Sequence, residues 1–234
     1  MSNGSVASST LDPRFVPLRN GLIVSCQVPD DTAINTPEFI AAQALTVLQA
    51  GAVGIRAQGT HNVKAISKIT KVPIIGLVKR YDDSSPVYIT PSVSDVVELE
   101  KAGASIVAID ATGRLRPGGQ NLADFIAQVR LESNVLILAD VDSVESALAA
   151  EALGCDAVAT TLSGYTDIPI KGLPNIDLIA EISQRVKVPV IAEGGFSQPA
   201  SVAEAFTAGA LSVCIGTAIT NPYLLTKHFL AAIN

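Results

Sequence analysis

Short apolar runs alternate along the chain with longer stretches in which apolar positions recur at helical spacing. Runs rich in Val, Ile and Leu, with no polar alternation, predict strands covered on both faces, as in a parallel sheet. They fall at 22–26, 53–55, 73–78, 105–109, 135–139, 157–159, 188–192 and 211–215. Between them the spacing predicts helices over 37–50, 63–69, 93–101, 122–131, about 143–153, 176–185, about 200–208 and 222–232. The first helix has both end signals: Thr36 as cap with Pro37 in the first turn, and Gly51 as stop. Two polar stretches, 81–91 and 111–120, predict longer loops, the first placed to act as a partial lid.

Strand and helix thus alternate strictly, and a second repeat lies over the first. Gly51, Gly103, Gly154 and Gly209 each close a helix just before an even-numbered strand, at near-equal intervals, whereas the third and seventh strands follow Lys-Val-Pro at Lys71 and Lys187. Alternating junctions fit a closed (β/α)8 TIM barrel, in which odd and even strands fill different interior layers. An open doubly wound sheet is the alternative, but the G-x-G-x-x-G turn after its first strand is missing. The expected organisation is a tail over residues 1–20, at least partly flexible, and one barrel domain over 21–234.

Composition narrows the class. The chain has 234 residues, 48% apolar and 16% charged, which suits one barrel with a wholly buried sheet. A net charge of −6 with no basic run argues against nucleic acid. No apolar stretch approaches the roughly 18 residues of a membrane span. The first ten residues are Ser-rich, with neither basic region nor apolar core, and do not read as a secretory signal. Cys26, Cys155 and Cys214 all fall in apolar runs and read as buried, inert thiols of a reducing cytosol. Wide cysteine spacing and only two histidines, His61 and His228, leave no metal site.

The candidate chemistry lies at the strand ends. In such a barrel all carboxyl ends share one face, and the residues there are Gln27, Arg56, Lys79, Asp110, Asp140, Thr161, Glu193 and Gly216. Charge converging on the rim of an apolar core is costly unless paired or used, which points to an active site. Gly194-Gly195 and Gly216-Thr217 follow the seventh and eighth strands, where backbone N–H groups of these barrels commonly hold phosphate. Arg56 can bind and stabilise charge but not shed a proton. Lys79 can act as a base if desolvation and Arg56 depress its pKa. Glu193 or Asp140 could carry protons or hold a sugar hydroxyl. Arg114 and Arg116 read as a solvated loop or as arms reaching a phosphate, Asp82 and Asp83 as turn formers, His61 as a surface group, and Tyr165 as either loop packing or a ligand cover.

Several stretches are more specific than the fold demands: LIVSCQ (22–27), GIRAQG (54–59), PIIGLVKRYDDS (73–84), YITP (88–91), IVAIDATGRLRPGG (106–119), ATTLSGYT (159–166), PVIAEGG (189–195) and VCIGTAITNP (213–222). They resemble N-acetylmannosamine-6-phosphate 2-epimerases, from about residue 20 to the C-terminus. The resemblance implies an isomerase interconverting N-acetylmannosamine 6-phosphate and N-acetylglucosamine 6-phosphate in cytoplasmic sialic acid breakdown, with no cofactor and no metal. It implies Lys79 and Glu193 as catalytic residues and Gln27, Arg56 and Asp140 around the phosphorylated N-acetylhexosamine, with Asp110 as a rim aspartate; the strand ends add Thr161 to the substrate site, and the glycine turns add phosphate contacts at Gly194, Gly195, Gly216 and Thr217. One departure stands out: several members carry an arginine after the Glu-Gly pair, and here Gly195 occupies that place. A Schiff-base aldolase using Lys79, or a non-catalytic phosphosugar-binding barrel, are the alternatives. The apolar last helix (Leu224, Leu225, Phe229, Leu230, Ile233) is expected to close its own barrel, with packing on the partner of a homodimer as the alternative.

Overall fold

The computed structural model describes residues 11–29 and 32–233. Eight parallel strands close in chain order into one barrel: β1 (Gly21–Cys26), β2 (Gly54–Gln58), β3 (Ile74–Leu77), β4 (Ile106–Asp110), β5 (Leu136–Asp140), β6 (Ala157–Ala159), β7 (Val190–Glu193) and β8 (Ser212–Ile215). The outer helices are α1 (Pro37–Gln49), α2 (Thr60–Ser67), α3 (Val93–Ala102), α4 (Leu122–Glu132), α5 (Val144–Ala152), α6 (Ile176–Arg185) and α7 (Pro199–Thr207). Short polar side chains start several of them: Thr36, Ser92, Asn121, Ser143 and Asn175 each accept a backbone N–H of the first turn.

Side chains alternate across each strand, so parity decides which residues enter the barrel. Val24, Cys26, Ile55, Ala57, Val107, Ile109, Ile137 and Ala139 face the helices in the larger core. Ile23, Ile75, Leu77, Ile106, Ala108, Leu136, Leu138, Ala157, Ala159, Ile191 and Cys214 fill the interior. The same parity carries Arg56, Asp110, Asp140 and Glu193 inward at the carboxyl end. Burial pushes the Cys26 and Cys155 thiols up to about 12, so both stay protonated.

Three features differ from the sequence reading. The second strand was expected to end at Arg56; it runs two residues further, and Arg56 lies inside it. A polar residue reads as a strand end only if the sheet is apolar on both sides, and at this depth the barrel interior is not. The expected N-terminal tail is packed where it is described. A 3₁₀ turn at Val16–Leu18 seats Phe15 and Leu18, 1% and 0% exposed, in the interior core. Arg14 donates to the Asn134 carbonyl just ahead of β5, so this segment closes the amino end of the barrel. Residues 1–10 lie outside the described residues. Last, a short helix α8 (Thr217–Thr220) follows Gly216, before the terminal helix α9 (Pro222–Leu230). No residue of α9 is buried, and Phe229, Leu230 and Ile233 are exposed. Among the described residues no helix is long and apolar enough to cross a membrane.

Candidate active site

The carboxyl end of the barrel holds a cavity of about 810 Å³. Gln27, Arg56, Lys79, Thr161, Glu193, Gly194, Gly195, Gly216 and Thr217 all line it, so nine of the residues expected at the site share one chamber.

Its floor is built on Arg56, which is 1% exposed. The guanidinium crosses the barrel interior from β2, where Ala108, Ala157, Ala159 and Cys214 leave it room. On the far side it meets Asp140 in a two-pronged ion pair, Nη1 to Oδ1 at 3.0 Å and Nη2 to Oδ2 at 2.6 Å. Nη1 also donates to Glu193 Oε2 at 2.7 Å. Such a planar fork matches a carboxylate as a lysine cannot. Burial alone would lower the Arg56 pKa; Asp140 and then Glu193 more than offset it and hold the group charged. Its Nε is buried without a protein partner, a cost normally met by water or ligand.

Glu193 ends β7 above this pair. The Thr161 hydroxyl donates to Asp140 at 2.7 Å and lies 3.1 Å from Glu193 Oε2, tying the two carboxylates together. Next to it, the Thr160 hydroxyl donates to the Glu193 carbonyl at 2.8 Å and accepts the Glu193 N–H at 3.0 Å, which fixes the strand end. Burial, and after it Asp140, push the Glu193 carboxyl above its ordinary value against the pull of Arg56 and Thr161. Burial thus favours the protonated form of this carboxyl over what it would hold in water.

Lys79 faces this floor from β3. Two residues beyond Leu77, it keeps the inward parity of Ile75 and Leu77. Its backbone bridges Ile89, Arg80 N–H donates to the Tyr88 carbonyl at 2.9 Å, and Thr90 N–H to the Val78 carbonyl at 2.8 Å. The 81–91 loop, expected as a partial lid, therefore returns as a hairpin that prolongs β3. Thr90 takes a left-handed backbone, φ 44°, at the point where the chain turns back toward α3. Tyr81 and Tyr88 stack at 5.4 Å on this hairpin and both line the cavity.

The turns after β7 and β8 form the opposite wall. Gly194 and Gly195 have φ of 111° and 72°, and a Cβ on Gly195 would stand 2.3 Å from that of Leu173. Neither position accepts a side chain without strain. Gly216 leads into α8, whose first N–H groups have no intrahelical acceptor. Thr220 anchors α8 by donating to the Ser25 carbonyl at 2.7 Å.

Two expected residues do not line the chamber. Asp140 lies under Arg56, its carboxylate accepting from the guanidinium and from the Thr161 hydroxyl. Asp110, read as substrate-binding, is fully buried and closed off by its own loop. It accepts Thr112 N–H at 3.0 Å, the Thr112 hydroxyl at 2.7 Å and Arg114 Nη2 at 2.6 Å. Arg114 and Arg116 are thus neither a solvated loop nor arms to a phosphate. Arg116 lies 4.0 Å over the Phe125 ring and donates to the Asp110 carbonyl, and burial pushes it down to about 10. Ser25, Gln58, Tyr88, Asn221 and His228 line the cavity without having been singled out for it. For Gln58 the signal was there: it lies two residues past Arg56 and shares its parity.

Residues 40–234 match the family model "Putative N-acetylmannosamine-6-phosphate epimerase". A relative from Caldanaerobacter subterraneus, named "Putative N-acetylmannosamine-6-phosphate 2-epimerase", is 41% identical over 219 residues, 92% of each chain. One of the same name from Clostridium perfringens is 40% identical over 91% of this chain and 96% of its own. The solved structure of the N-acetylmannosamine-6-phosphate 2-epimerase from Clostridium perfringens superposes with a TM-score of 0.88 at 38% identity, covering 93% of this chain and 95% of that one. Thiamine phosphate pyrophosphorylase from Pyrococcus furiosus, 18% identical with a TM-score of 0.59, shares the barrel alone. With these likenesses spanning the barrel and its charged floor, the chain belongs to the N-acetylmannosamine-6-phosphate epimerase family.

Proposed function

We propose that this protein interconverts N-acetylmannosamine 6-phosphate and N-acetylglucosamine 6-phosphate by inverting C2, as a step of sialic acid breakdown and without cofactor or metal. The observation that carries the reading is the pairing of a lysine at the end of β3 with a carboxylate-locked arginine on the facing floor of one cavity. C2 of the open-chain sugar lies next to the C1 carbonyl, so its proton is the labile one. Neutral Lys79 takes that proton. Negative charge passes to the carbonyl oxygen, where the fixed cationic floor stabilises it. A proton then returns to the other face of C2, with Glu193, whose carboxyl burial favours the protonated form, assisting the transfer. Gln27, Thr161 and Arg56 hold the sugar and its N-acetyl group, and the Gly194-Gly195 and Gly216-Thr217 turns hold the phosphate through backbone N–H groups. The exposed Phe229, Leu230 and Ile233 supply an apolar face for a homodimer.

The test is proton NMR of N-acetylmannosamine 6-phosphate with the protein in deuterium oxide. The expected result is loss of the C2 proton signal together with appearance of the gluco product, unchanged after chelator treatment. A substrate that keeps its C2 proton overturns the reading.

A further inference from the structure

The proposed reaction places a doubly charged phosphate against the turns after β7 and β8, where backbone N–H groups supply dipoles but no formal charge. Among the described residues lining the cavity, the side chains able to carry positive charge are Arg56, Lys79 and His228. Both Arg56 Nη atoms are committed to carboxylates across the floor. The Arg56 charge is thereby held at the floor against Asp140 and Glu193 and is not offered to a phosphate at the β7 and β8 turns. Lys79 follows β3, which stands opposite β7 in a closed ring of eight.

His228 is on the required side. Helix α9 leaves the barrel from Asn221, directly after the α8 turn that Gly216 opens. Leu224, Leu225 and His228 of α9 line the cavity, the first and last one helical turn apart on a single face. The neighbouring Lys227 is directed to the Tyr223 ring, 4.8 Å from its centroid. The other histidine, His61, lines a separate smaller cavity against α1 and α2 that shares no residue with the β7 and β8 turns.

We propose that His228 is the cationic contact of the substrate phosphate and sets the preference for phosphorylated over unphosphorylated sugars. From α9 at the cavity mouth the His228 ring adds an N–H donor, and with its proton a charge, to the N–H groups of the glycine turns. This inference deepens the function proposed above and rests on it for the identity of the sugar. Its site chemistry, a phosphate monoester between two glycine turns and an exposed imidazole, does not depend on C2 inversion. Because His228 is exposed, its replacement leaves the barrel core untouched.

The decisive measurement is the affinity for inorganic phosphate, followed by ³¹P NMR titration at constant ionic strength, for the unaltered protein, His228→Ala and His228→Arg. The expected result is about tenfold weaker binding in His228→Ala, the size of one charged hydrogen bond at a solvated site, with recovery in His228→Arg. With sugar, His228→Ala raises KM about tenfold for N-acetylmannosamine 6-phosphate at nearly constant kcat and leaves kcat/KM for unphosphorylated N-acetylmannosamine in place. Phosphate binding unchanged in His228→Ala overturns the proposal, as does an equal loss on both sugars. If the unaltered protein shows no C2 exchange, the epimerase reading falls, and the phosphate titration still decides the role of His228.

Discussion

Asp110 and Asp140 are partners in register at the ends of β4 and β5, both fully buried and both paired with arginine, yet only Asp140 supports the cavity floor. What separates them is where the arginine comes from. Asp110 takes Arg114 from its own loop, four residues on, and Arg116 of that loop reaches its carbonyl. The loop folds on itself, and the cluster is finished. Asp140 takes Arg56 from the far side of the barrel, 84 residues away in sequence. That guanidinium has to cross the interior, which leaves its upper edge and Glu193 open to the cavity. A charge satisfied locally braces a loop, whereas one satisfied across a barrel makes a site.

The largest effect expected from this contrast is on Arg56. Arg56→Ala leaves two buried carboxylates facing each other without a counter-charge. Breaking a buried pair from one side costs about 3–5 kcal/mol. Turnover should disappear together with a large fall in the denaturant midpoint. If Arg56→Ala unfolds at the ordinary midpoint, the cross-barrel pair is not what holds this floor. Lys79→Ala should separate the two losses. A positioned base contributes about 100- to 10,000-fold to turnover, and its removal from the cavity wall should leave the unfolding midpoint nearly unchanged. Turnover near that of the unaltered protein would remove Lys79 from the mechanism.

How far these two clusters could be read from the chain follows from the same distinction. The barrel was legible because eight apolar runs and their glycine stops repeat locally. Lys79, Asp140 and Glu193 were legible because each follows such a run. What could not be read was which arginine each aspartate would meet. Arg114 and Arg116 looked like free loop cations, and Arg56 like a strand end, because pairing across a closed sheet leaves no local mark. Phe15 and Leu18 were missed for a related reason: they close the barrel from a segment too short to show a period. Helix α8, four residues long, is below the length at which periodicity can speak.

The β4 cluster gives the intermediate case. Asp110→Asn keeps an acceptor for Thr112 but loses the ion pair with Arg114, whose side chain is 23% exposed. A loss of about 1.5–3 kcal/mol is expected, as for one charged hydrogen bond. Turnover should stay within about threefold, since Asp110 does not line the cavity. A collapse of turnover at intact stability would place this aspartate back in the site and erase the contrast between β4 and β5.

The smallest expected effect concerns the sign of a pH slope at Glu193. Burial, with Asp140 beside it, raises this carboxyl above its ordinary value of about 4.5 in the folded protein. Below about 4.5 the group is protonated both folded and unfolded and contributes no slope. As pH rises from there to the folded value, the unfolded chain releases its proton while the folded one retains it. The folded state then binds more protons, and stability falls with pH across that window before levelling off above it. Glu193→Gln keeps a carbonyl to accept from Arg56 Nη1 and removes this titration. The difference between the two proteins in unfolding free energy, measured from pH 4 to pH 8, should therefore move in favour of Glu193→Gln as pH rises. Asp140, still bound to both Nη atoms of Arg56, is common to both curves and cancels to first order. A difference that moves the other way would mean that Arg56 stabilises the ionised glutamate more than burial and Asp140 oppose it. The cavity would then hold a permanent carboxylate at β7, and the proton returned to C2 would have to come from Lys79 or the sugar itself.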